Sequence, residues 1–79
     1  MRKQDFEQYM NRMIRALRRL DRPWSVELVP VARFELETMN QRLAEPGLPN
    51  EAADRLLIET VASLEGLAAD ADIREQGLA

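Results

Sequence analysis

The sequence predicts an all-α domain: three short amphipathic helices, approximately residues 3–21, 30–45 and 50–70, in an antiparallel bundle or array that dimerisation would complete. Three observations predict it. Apolar residues recur at steps of three and four in three separate segments. Two proline-containing breaks, Asp21-Arg22-Pro23-Trp24-Ser25 and Pro46-Gly47-Leu48-Pro49, divide those segments. Connections this short favour antiparallel neighbours.

The first helix is the clearest. Phe6, Met10, Met13, Leu17 and Leu20 step by four, three, four and three, with Tyr9, Ile14 and Ala16 flanking them. That spacing makes one apolar stripe on a helix. Arg12, Arg15, Arg18, Arg19 and Arg22 fall on the other side with Gln8 and Asn11, and arginines near the C-terminal end suit the helix dipole.

The residue before a proline avoids helical geometry, so Arg22 ends this element. Beyond it, Ser25 is suited to cap a second helix. Pro30 permits two courses: one helix from Ser25 kinked at Pro30, or a short helical turn over residues 24–29 and then a helix with Pro30 as its first residue. The second is favoured. Alternation in Val26, Leu28 and Pro30 also allows a short edge strand.

Val29, Ala32, Leu36, Met39 and Leu43 form the inner stripe of the second helix, which must stop near Glu45 because Pro46-Gly47-Leu48-Pro49 cannot continue it. Asn50 is a good N-cap for the third helix, with Glu51 well placed in its first turn. Ala53, Leu57, Val61, Leu64 and Ala68 make its inner stripe, widened by Leu56, Ile58 and Leu67. Gly66 lies on the outer side and weakens the last turns. The helix ends near Ala69 or continues over Asp70–Arg74, and residues 76–79 are a frayed tail. The expected core comprises Phe6, Met10, Met13, Leu17, Leu20, Ala32, Leu36, Met39, Leu43, Leu57, Val61 and Leu64.

Composition bounds the rest. Seventy-nine residues form one domain, 1–79, and a chain this short buries only about 60% of its unfolded surface. Such scaffolds often need staples or association. With no cysteine and no histidine, disulfides, thiolate metal sites and the commonest acid–base group are all missing. No apolar run reaches the roughly 18 residues of a membrane span, and no signal peptide is evident, which suggests the cytoplasm. No phosphate loop, nucleophile elbow or metal-spaced cluster is present. The expectation is therefore no enzyme, no catalytic residue, no cofactor and no metal. Asp70, Asp72 and Glu75 lack the glycine and spacing of a calcium loop and read as a solvated helix end.

Charge is divided along the chain. Seven of its 11 basic residues lie in the first 22 positions against Asp5, Glu7 and Asp21, so that segment is about +4 and the remainder about −7. The arginine face of the first helix therefore has three candidate contacts: phosphates of a nucleic acid, an anionic membrane surface, or acidic protein surfaces. No aromatic residues interleave with the arginines to stack on bases, and protein is favoured.

Val31 and Phe34 point away from the inner face of the second helix by the 100° helical step. Either they form a second contact surface, for a partner or another copy, or the second helix is central and packs on both sides. Trp24 reads as a lid over one end of the helices and secondarily as an interface anchor. Met10, Met13 and Met39 read as core fillers. These features predict a small helical interaction module, an adaptor, chaperone-like protein or inhibitor, with a homodimer expected. The interface residues would be Val31, Phe34 and Trp24. The alternative is an accessory nucleic-acid binder using Arg12, Arg15, Arg18, Arg19 and Arg22.

Overall fold

The computed structural model describes residues 1–78, and these are all-helical, with no strand among them. Helix α1 spans Lys3–Leu20, a 3-10 turn covers Pro23–Ser25, α2 spans Val29–Leu43 and α3 spans Asn50–Gly77. The three helices pack against each other through α3: α1 lies along it most extensively, α2 also packs on it, and α1 and α2 meet hardly at all. The Cα trace measures 48 × 24 × 13 Å, a shallow array. No helix of the described residues is long and apolar enough to cross a membrane.

The α1–α3 seam is built from small and medium side chains. Ala16, Val61 and Ala68 are almost wholly buried, together with Met13, Leu20 and Leu64. Three ion pairs border the seam. The Met1 ammonium meets Asp54 at 2.8 Å, Arg12 meets Glu65 at 2.5 Å, and Arg19 pairs with Asp72. All three pairs share a separation of 53 residues, so α1 and α3 run alongside each other in one direction. On the other flank, Leu28, Ala32 and Met39 join the core with Leu56.

Several expectations are corrected by these contacts. The third helix does not stop near residue 70; it continues to Gly77. Tertiary contacts hold its last turns: Ala71 is buried, Asp72 pairs with Arg19, and Arg74 pairs with Glu27 at 3.2 Å, with a local i,i+4 contact from Arg74 to Asp70 at 3.7 Å beside them. Residues 76 and 77 of the expected tail are thus helical, and Ala79 lies outside the described residues. The central helix is α3 rather than α2. At about 1.5 Å per residue, only α3 is long enough to support α1, α2 and the connecting turn.

Ser25 does not cap α2. Its buried hydroxyl lies 2.6 Å from the Leu20 carbonyl oxygen and 2.9 Å from that of Arg22, sharing its proton between them. It adds to the Arg22 and Ser25 N–H groups, which donate to the same two carbonyls at 2.9 and 3.1 Å, and so tightens the turn that follows α1. Residues 26–28 form helical turn, not strand, and lead into α2 with Pro30 in its first turn, where a missing N–H costs nothing. Asn50 is the first residue of α3 and not its cap; the cap position is Pro49, whose carbonyl accepts from the Ala53 N–H at 3.0 Å. Between α2 and α3, Glu45–Leu48 closes a turn with Pro46 second and Gly47 third, the latter at φ +77°. That is the proline–glycine order of a type II turn.

Two residues of the expected core are outside it. Phe6 is 48% exposed and Leu43 40% exposed. Met10, Leu17 and Leu36 are only partly buried, while Ala16, Leu28, Leu56, Ala68 and Ala71 are buried instead.

Candidate docking surface

The misplaced core residues belong together. The apolar arc of α1 is wider than its contact with α3 requires. By the 100° step, Tyr9, Met13, Ala16 and Leu20 occupy one half and Phe6, Met10, Ile14 and Leu17 the other. The first half packs on α3. Phe6, Met10 and Leu17 of the second half line two open apolar grooves that follow one another between α1 and α2, together called the trough.

At one end the trough is an opening of about 290 Å³ lined by Leu17, Leu20, Val29, Ala32 and Leu36, with Asp21 and Arg33 on its rim. At the other end an opening of about 310 Å³ is lined by Phe6, Met10, Met39, Leu43 and Leu57, with Asp54 and Asn40 beside them. Both linings are predominantly apolar. The trough exists because α1 and α2 each pack on α3 without closing on each other.

The interface residues expected from sequence are distributed differently. Val31 and Phe34 are both exposed, Phe34 by 67%, on the face of α2 turned away from the trough. Trp24 stands apart from them. Half-buried, it donates its indole N–H to the Ala71 carbonyl at 3.1 Å and so ties the turn to α3. That matches the lid reading and commits its polar group within the chain.

The five arginines also divide. Arg12 donates to both carboxylate oxygens of Glu65, from Nε at 3.0 Å and from Nη2 at 2.5 Å, and its guanidinium sits 5.1 Å from the Tyr9 ring centroid. The fork of hydrogen bonds from Arg12 holds the Glu65 carboxyl below its ordinary range, and the same bonds raise the Arg12 guanidinium. Arg19 is bound to Asp72. Arg15, Arg18 and Arg22 are exposed and make no ion pair among the described residues. The basic helix therefore spends part of its charge on the acidic third helix of its own chain.

Among the described residues no group of three or more carboxylate side chains is placed to hold a metal ion. No protein-family model, curated protein or solved structure matches this chain.

The trough was readable in outline. An apolar arc that includes Phe6, Ile14 and Leu17 as well as Met13, Ala16 and Leu20 is too wide for one neighbour. A single stripe through its middle hides that.

Proposed function

We propose that this chain is a non-enzymatic protein–protein interaction module, a small adaptor, chaperone-like protein or inhibitor that works by docking an apolar helical surface. The observation that carries this reading is the trough. Phe6, Met10, Leu17, Val29, Leu36 and Leu43 line it from two helices and remain partly or substantially exposed. Contiguous exposed apolar surface with a polar rim is a mark of interaction sites. The antiparallel course of α2 belongs to the same reading, supported by the grooves that place Glu35 with Ser63 and Arg42 with Arg55. We place the protein in the cytoplasm.

A photo-reactive residue installed at Leu36 tests this in extract of the native host, with Ala62 on the exposed side of α3 as control. The reading expects one dominant polypeptide adduct from Leu36, lost when Leu17→Asp puts a charge in the trough. No adduct above the Ala62 control would sink it.

A second reading has one observation in its favour: Arg15 and Arg18 on α1 and Arg22 just beyond its end are exposed and make no ion pair among the described residues. An accessory nucleic-acid binder would bind DNA or RNA with affinity that falls steeply with salt. Arg15→Glu combined with Arg18→Glu would abolish that binding. A flat titration at low salt removes this alternative.

A further inference from the structure

We infer that the occupant of the α1–α2 trough is the same trough of a second copy of this chain, paired about a two-fold axis running along it. This rests on the reading of the trough as the working surface and names its partner. The pairing lays α1 of one copy over α2 of the other, so that the four helices form one bundle with an α3 on each outer side. With α1 and α2 each packed on α3 and hardly on each other, the apolar trough between them has no cover within the described residues, and an apolar helical face is stabilised by burial against another element. A second copy provides that element.

The charge pattern fits. The rim carries both signs at one level of the trough, Asp21 on the α1 side and Arg33 on the α2 side. Neither makes an ion pair within the chain among the described residues. Rotation about the trough axis brings Asp21 of each copy toward Arg33 of the other, giving two equivalent pairs, as an isologous interface requires. A partner helix of one dominant charge would meet a rim of the wrong sign on one side. The three unpaired arginines, Arg15, Arg18 and Arg22, stay outside the contact. So does Phe34, on the far face of α2. The pairing therefore runs through Leu17 and Leu36 rather than through Val31 and Phe34.

Sedimentation equilibrium of the purified chain, with circular dichroism to verify helicity, tests this. The wild-type protein should form a dimer below about 100 μM, a weak-dimer scale. Asp21→Arg alone and Arg33→Asp alone should each weaken it about ten-fold, and the double exchange should restore it. Both side chains are exposed, so the exchanges spare the core. Leu36→Asp should abolish the dimer and Phe34→Asp should leave it intact. A monomer at every concentration overturns the inference, as does a dimer broken by Phe34→Asp and indifferent to Leu36→Asp. If Leu36→Asp loses helicity, a mixture of Leu17→Cys and Leu36→Cys chains of this cysteine-free protein decides the matter, because the pairing sets Leu17 of one copy against Leu36 of the other. Rapid interchain disulfide formation there, and none at Phe34→Cys, supports the trough; the reverse overturns it. A monomer that still yields a Leu36 photo-adduct with another polypeptide removes only the second copy and leaves the interaction module standing.

Discussion

Arg12 holds Glu65 by two parallel hydrogen bonds across the α1–α3 seam, Nε to Oε2 at 3.0 Å and Nη2 to Oε1 at 2.5 Å. The two-pronged geometry fixes register as well as charge, because a planar guanidinium matches a carboxylate in one orientation. Arg19 adds a single hydrogen bond to Asp72 seven residues further along each helix. Two helices of opposite net charge are therefore locked side by side within one chain.

The pair has a pH signature. Glu65 has a lower pKa in the folded protein than its ordinary 4.5, chiefly through the Arg12 hydrogen bonds. A carboxylate depressed on folding contributes stability that is fully present above its unfolded value and is lost as pH falls through the lower folded one. Denaturant melts of the wild-type chain and Glu65→Gln should differ at neutral pH, with the wild type more stable, and converge as pH drops below 4.5. Both residues are substantially solvent-exposed, so the difference should shrink in high salt. A gap independent of pH would show that the pair adds nothing.

Ser25 should be sensitive despite its small size. It is 0% exposed, and its hydroxyl serves the Leu20 and Arg22 carbonyls. Ser25→Ala removes the hydroxyl's hydrogen bond from both carbonyls while the Arg22 and Ser25 N–H groups still donate to them, and should cost about 0.5–1.5 kcal/mol. Equilibrium unfolding in urea checks this. A loss below experimental error would mean that the turn relaxes to admit water.

Gly66 and Gly47 should respond in opposite directions. A Cβ at Gly66 meets no atom within 4 Å and sits in the interior of a long helix, so Gly66→Ala should stabilise by about 0.5–1 kcal/mol. Gly47 is equally uncrowded but has φ +77°, a conformation that costs an L side chain about 1–2 kcal/mol. Gly47→Ala should therefore destabilise. Thermal melts of the two variants separate the backbone effect from any steric one.

Truncations should separate core from trough. Leu64 is 0% exposed at the centre of α3, and Leu64→Ala should cost about 2–5 kcal/mol. Phe34 is 67% exposed, and Phe34→Ala should change stability by no more than about 0.5 kcal/mol. Unfolding curves at a fixed low protein concentration test the contrast. A large loss at Phe34 would place it in a buried contact.

By itself the sequence determined the elements. Three helices, the breaks at Pro23 and Pro46–Pro49, the start of α2 beside Pro30 and the apolar stripes all follow from local rules of periodicity and proline geometry. The chain's charge division was equally plain in the order of its residues. Only the tertiary structure decided who faces whom. Asp70–Arg74 looked like a solvated end until Arg19, Glu27 and Trp24 met it from elsewhere in the chain. Phe6 and Leu43 kept perfect core spacing yet stayed exposed, because periodicity assigns a side chain to a face of its helix and cannot say whether another helix covers that face. Ser25 had the right chemistry for a cap, and the direction of its hydroxyl was set by the fold of the turn around it. Local pattern is a property of neighbours three and four residues apart. The Arg12–Glu65 lock and the open trough depend on groups 53 residues apart or on separate helices, and such distances are closed only by packing.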